Sequence, residues 1–170
     1  MVVAASSALR EWVQVSERRE LDVDLHDCPD KVAAVGLGIG LARPDVKVLV
    51  LDNDAALRMN PSAMATVGSL GPENLVHIVF EDESFSSTGG LAIPGLGGLD
   101  YVKLAKDYGY RRAFRFDELE ELALSLDELL GQPGPILVSV KVFHGADLPP
   151  APEGTTAQSM DRVKGALGGG

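Results

Sequence analysis

Two short acid-rich runs carry the side chains best suited to chemistry. Asp52-Asn53-Asp54-Ala55-Ala56 follows the apolar run Val46 to Leu51, and Glu81-Asp82-Glu83-Ser84-Phe85 follows the apolar run Leu75 to Phe80. Short runs rich in β-branched residues read as buried parallel strands. Such sheets bind ligands beyond the carboxyl ends of their strands. Asp54 and Asp82 stand 28 positions apart, and at neighbouring strand ends they can converge on one hard cation. Oxygen ligands of this kind suit Mg²⁺ or Ca²⁺, and a cation there could hold a phosphate ester or a diphosphate. The same acids would serve as well as solvated strand-end residues or helix caps.

The elements that must position these runs alternate along the chain. A helix is expected over Leu9 to Arg18, a short edge strand over Leu21 to Leu25, and a small-residue helix over Val32 to Ala42, stopped by Arg43-Pro44. Further helices are read at Ala63 to Leu70 and Asp100 to Tyr108, and a strand at Arg112 to Phe116. Asp117 is expected to cap the next helix, with Glu120 completing a capping box and Gly131 following its end. Leu119, Leu122, Leu126, Leu129 and Leu130 are its expected buried face. Ile136 to Val142 is the last strong strand. This order implies an α/β fold, a mainly parallel sheet with helices on both faces. One domain is expected over residues 1–150, with a tail over 151–170 that holds a short helix near Ser159 to Leu167.

Composition narrows the function. The chain has 170 residues, 45% of them hydrophobic, with 15 Lys and Arg against 25 Asp and Glu and a net charge of −10. A surface this acidic is a poor binder of nucleic acid or of anionic membrane. No apolar stretch approaches the roughly 20 residues of a bilayer span. Met1 to Ala8 is apolar, but no basic segment precedes it, so it does not read as a signal peptide. The single cysteine, Cys28, excludes an internal disulfide, and the cytoplasm is the expected compartment. Beside Asp27 and Asp30 its thiol pKa should be raised, which argues against a nucleophile. Gly36-x-Gly38-x-Gly40 precedes a strand instead of following one, so it reads as a helix face packed on the sheet. His77 reads as a hydrogen-bonded core histidine, and His26 and His144 are isolated. Gly95 to Gly98 reads as a flexible loop. No catalytic residue is assigned.

The run from Val32 through GLGIGLARPDVKVLVLDNDAALRMNPSAMATVG resembles the thiamine diphosphate (TPP)-binding domain of TPP-dependent decarboxylases. The stretch Asn74-LVHIVFEDESFSSTGG is similar to the second half of that domain. Its Ser87-Thr88-Gly89-Gly90 ending, with the close VKVFHGADLPP over Val140 to Pro150, is similar to the phosphonopyruvate and sulfopyruvate decarboxylases, the latter through the beta subunit. The resemblance implies a TPP- and Mg²⁺-dependent 2-oxo acid decarboxylase subunit acting on a small anionic substrate. It places the metal-binding aspartate on Asp54, replaces the metal-binding asparagine by Asp82, and puts a carbonyl ligand on Ser84. Two diphosphate oxygens and a water would complete the shell. The N–H groups of Ala55 and Ala56 would face the diphosphate, beside Asn53.

The resemblance also implies that a partner subunit supplies the aminopyrimidine side, that the chain is inactive alone, and that it forms a homo-oligomer. Besides Asp82, this chain departs from the pattern at three further places. Asn53 and Ala55 replace the glycines of a Gly-Asp-Gly triplet, and Asp27-Cys28-Pro29-Asp30 replaces a Gly-Ser-Met-Gly-like turn. Asp27 and Asp30 are expected to oppose a diphosphate by about 1 kcal/mol each. A non-catalytic relative with a degenerate site, acting as a structural or regulatory partner, is the second function compatible with this pattern.

Overall fold

A computed structural model describes residues 1–85, 89–95, 99–143 and 147–168. Among them, six parallel strands form one sheet in the order β2-β1-β3-β4-β6-β5. The strands are β1 (Val2–Ala5), β2 (Asp22–Leu25), β3 (Val48–Asn53), β4 (Leu75–Glu81), β5 (Arg112–Phe116) and β6 (Ile136–Lys141). The helices are α1 (Ser6–Val15), α2 (Val32–Ala42), α3 (Asp54–Met59), α4 (Ser62–Leu70), α5 (Tyr101–Asp107), α6 (Leu119–Gly131) and α7 (Thr156–Ala166). None of them is long and apolar enough to cross a membrane.

Both sheet faces are covered, which is why β3, β4 and β6 read as nearly continuous apolar runs. On one face Val3, Val50, Val79 and Leu137 pack with Leu37 of α2, Met64 of α4 and Ala105 of α5. On the other, Ala4 and Leu51 meet Leu9 and Trp12 of α1, while Val138 and Val140 meet Leu129 of α6. Of the glycines of α2, Gly36 and Gly40 serve close packing as expected, whereas Gly38 faces open space. A Cβ on Gly36 would lie 2.2 Å from a Val50 methyl, a distance that contact between α2 and β3 cannot absorb.

Several details differ from the sequence reading. Val2–Ala5 is a strand held on both sides, Val2 standing opposite Asp22 and Leu49. So short a run shows no period of its own, and pairing alone makes it a strand. The helix that follows begins at Ser6, with no side-chain cap. α6 starts at Leu119, so the cap position falls on Glu118, which makes no side-chain cap bond, and Asp117, one residue earlier, accepts from Arg115 Nε at 3.1 Å. Of its expected buried face only Leu129 is fully buried, and Leu119 is 73% exposed. Leu122 and Leu130 are half-buried against the cluster that Leu129 joins, whereas Leu119 and Leu126 are exposed at the sheet edge near β5.

The C-terminal helix begins at Thr156. Thr155 and Gln158 form a capping box, and α7 lies along the outer strand β2. Ser159 Oγ accepts the Asp24 N–H at 2.6 Å, and Arg162 donates to the Asp22 carbonyl at 3.0 Å and to the Asp24 carboxylate at 2.9 Å. An edge strand would otherwise leave its polar groups unpaired.

Candidate functional site

The carboxyl ends of β1, β3 and β4 meet at one rim of the sheet. β3 runs into α3 through Asn53, which is extended (φ −126°, ψ 162°) and caps the helix by accepting the Ala56 N–H at 2.8 Å. Asparagine is among the best residues for this position. The Asn53 amide also donates to Ser7 Oγ at 3.1 Å, tying the end of β3 to the start of α1. Glycine is therefore not required at position 53 by backbone angle. Ala55 lies in α3 with ordinary helical geometry, since Ser6 and Glu83 are the only non-glycine residues with positive φ among those described.

Asp54 links two strand ends. One carboxylate oxygen accepts the Ala55 N–H and the other accepts the Glu83 N–H, each at 2.9 Å. Its side chain is buried. Burial pushes its carboxyl up to about 6, the nearby Asp82 and Glu81 charges push the same way, and the two N–H groups pull it back. A buried acid held this high in pKa is short of positive charge, and a cation would relieve it.

Asp82 lies beside this group, accepting the Ser84 N–H at 2.8 Å. Glu83 adopts φ +60°, which turns its N–H toward Asp54. Ser84 forms an isolated antiparallel bridge with Ala92, and Phe85 N–H donates to the Leu91 carbonyl at 2.8 Å. Glu81 faces away, toward Ser139 of β6, which donates to it, with Arg115 at 3.8 Å. No group of three or more His, Cys, Asp or Glu side chains that could hold a metal is found among the described residues. A shell built on the two carboxylates of Asp54 and Asp82 would need further oxygens, and hard oxygen donors of this kind fit Mg²⁺.

The expected site residues thus fall into two groups. Asp54, Asp82 and Ser84 lie around one rim position. Asn53, Ala55 and Ala56 adjoin it, but the N–H groups of Ala55 and Ala56 are engaged by the side chains of Asp54 and Asn53. The two acids of the 27–30 turn are also engaged. Asp27 accepts from Thr156 Oγ1 at 2.6 Å, a bond that holds its carboxyl below the usual range. Asp30 pairs with Lys31. Burial first, and Asp27 second, push the Cys28 thiol up, as expected of a non-nucleophile.

Sequence reading did not reach Ser7, the Glu83 N–H or Arg58. Arg58 Nε donates to the Tyr101 hydroxyl and Nη1 to the Pro94 carbonyl, both at 3.0 Å. It lines an open cleft of about 430 Å³ with Ala55, Phe85 and Ile93. Its place on the second turn of α3 was the available signal. Ser87, Thr88, His144 and residues 96–98 of the expected glycine loop lie outside the described residues.

Comparison with known proteins identifies the family and the fold. Residues 12–140 match the family model of the thiamine pyrophosphate enzyme C-terminal TPP-binding domain. The phosphonopyruvate decarboxylase of Streptomyces viridochromogenes is 35% identical over 114 residues, which cover 67% of this chain and 28% of that protein. The sulfopyruvate decarboxylase subunit beta of Methanothermobacter thermautotrophicus is 27% identical over 118 residues, 69% of this chain and 60% of that subunit. The chain therefore spans about a quarter of the first relative and three fifths of the second. A solved structure from Mycobacterium smegmatis, assigned as a thiamin diphosphate-dependent enzyme, superposes with a TM-score of 0.56 at 21% identity. It covers 66% of this chain and 22% of that one, and it shows the fold.

Proposed function

This chain belongs to the thiamine pyrophosphate enzyme family, as its C-terminal TPP-binding domain, and from that premise we propose that it is the diphosphate-binding subunit of a decarboxylase for a small anionic 2-oxo acid. Phosphonopyruvate and sulfopyruvate are the substrates named for its relatives. TPP, when bound, supplies the electron sink for cleaving the bond to a carboxylate. The chain's own residues bind and orient. Asp54, Asp82 and the Ser84 carbonyl would hold Mg²⁺, which would supply the positive charge for the diphosphate, and Asn53 caps the helix that carries Asp54.

The observation that carries this reading is the buried Asp54 carboxylate, suspended between the Ala55 and Glu83 N–H groups and raised in pKa beside the Asp82 and Glu81 charges. A partner subunit supplies the aminopyrimidine side, the assembly contains more than one copy of this chain, and it works in the cytoplasm. One observation favours the second reading, a non-catalytic structural or regulatory relative: the Ala55 and Ala56 N–H groups already have partners within the chain.

Decarboxylation separates the two. The chain co-expressed with its partner subunit should release CO₂ from phosphonopyruvate or sulfopyruvate only when TPP and Mg²⁺ are present, and the chain alone should release none. A fully assembled complex that stays inactive on both acids would leave the non-catalytic reading.

A further inference from the structure

Beneath the rim lies a line of buried polar side chains that packing does not require. His77 of β4 is 0% exposed, Asp52 of β3 is 2% exposed, and Tyr110, just before β5, is 4% exposed. His77 Nε2 lies 3.1 Å from Asp52 Oδ2, and His77 Nδ1 lies 2.9 Å from the Tyr110 hydroxyl. The other Asp52 oxygen accepts the Asn53 N–H at 2.8 Å. Their surroundings are apolar: Val50, Val79 and Leu137 belong to the same core, with Val50 and Leu137 directly opposite His77 on the adjoining strands.

Three polar groups in such a place are costly unless each is paired, and apolar side chains of similar volume would pack at least as well. What the line offers instead is direction. It starts at Tyr110, crosses β4 and β3, and ends on the backbone N–H of Asn53. Asn53 is the residue that caps α3 and bonds Ser7, and its neighbour Asp54 faces the rim.

We propose that His77 is a positioning residue. Through Asp52 it fixes Asn53 and the start of α3, and so sets where Asp54 presents its carboxylate to a divalent cation. The inference rests on the proposed Mg²⁺ site. The bond that matters is the one from His77 to Asp52, and the Tyr110 hydroxyl holds the ring in place.

Two polar substitutions in the complete chain separate these bonds. In His77→Gln the amide nitrogen reaches the position of Nε2 and keeps Asp52. In His77→Asn it reaches the position of Nδ1 and keeps only Tyr110. Mg²⁺ affinity is read by calorimetry and the fold by circular dichroism. His77→Asn should weaken Mg²⁺ binding about tenfold, the scale on which residues supporting a metal's ligands act. His77→Gln should stay within about threefold of the unaltered chain on that scale. Equal affinities for the two variants, at either level, would overturn the proposal.

A measurement on the unaltered chain guards against variants that do not fold. Titrating Mg²⁺ into ¹⁵N-labelled protein should move the His77 ring-nitrogen signals on the same curve as the Asn53 amide signal. Ring signals that stay still while the Asn53 amide moves would overturn the relay alone. A chain that binds no Mg²⁺ in any assembly would remove both the relay and the metal site it serves.

Discussion

Replacing Glu83 by glycine should make this chain more stable. Glu83 holds φ +60°, a left-handed conformation that costs a residue with a Cβ about 1–2 kcal/mol. Its side chain is exposed, and its contribution to the site is the main-chain N–H given to Asp54, which glycine retains. Against the relief of strain, glycine adds freedom to the unfolded chain worth about 0.5–1 kcal/mol. The net gain should be about 0.5–1 kcal/mol, read as a rise in Tm of about 1–4 °C for a domain of this size. Urea denaturation should show the same gain with an unchanged m-value. Glu83→Ala is the control, because alanine keeps the strain and should give no gain. A destabilised Glu83→Gly, or a gain shared equally by Glu83→Ala, would show that the Glu83 backbone is not the source of strain.

Three further outcomes follow from the same geometry. A carboxyl that titrates at about 6 in the fold and at 3.8 when free favours the folded state least when ionised, so stability should fall by about 3 kcal/mol as pH rises from about 4 through 6. Asp54→Asn should flatten that fall, and a denaturation series over this range that matches the unaltered chain would contradict it. Asn53→Ala removes the α3 cap and the bond to Ser7, and should cost about 1–2 kcal/mol in urea denaturation. Asp27→Gly removes the acceptor of Thr156, so amide exchange in the first turn of α7 should quicken, and unchanged protection there would show that Asp27 does not anchor the helix.

How far the sequence reaches depends on how local the determining interactions are. β3, β4 and β6 were legible because burial on both faces makes each strand a continuous apolar run. Asp54 and Asp82 were legible as strand-end residues because each directly follows one of these strands. β1 was not, since Val2–Ala5 is a strand only through its two neighbours in the sheet. α6 was misjudged in detail for a related reason: a leucine stripe reports an apolar face and not whether the sheet extends beneath it. The bonds that shape the rim link residues far apart in the chain. Ser7 meets Asn53 across 46 positions, Asp54 meets Glu83 across 29, and His77 meets Tyr110 across 33. Glu83 gave no local signal at all, because glutamate seldom adopts the conformation it holds.

The central claim is that this rim holds a diphosphate through a cation on Asp54. Calorimetry of TPP with Mg²⁺ tests it most directly, on the chain assembled with its partner subunit and on the same assembly carrying Asp54→Ala. The expected result is saturable TPP binding that disappears when Mg²⁺ is chelated and weakens at least about tenfold in Asp54→Ala. TPP bound with equal affinity by both assemblies, or by neither, would contradict it.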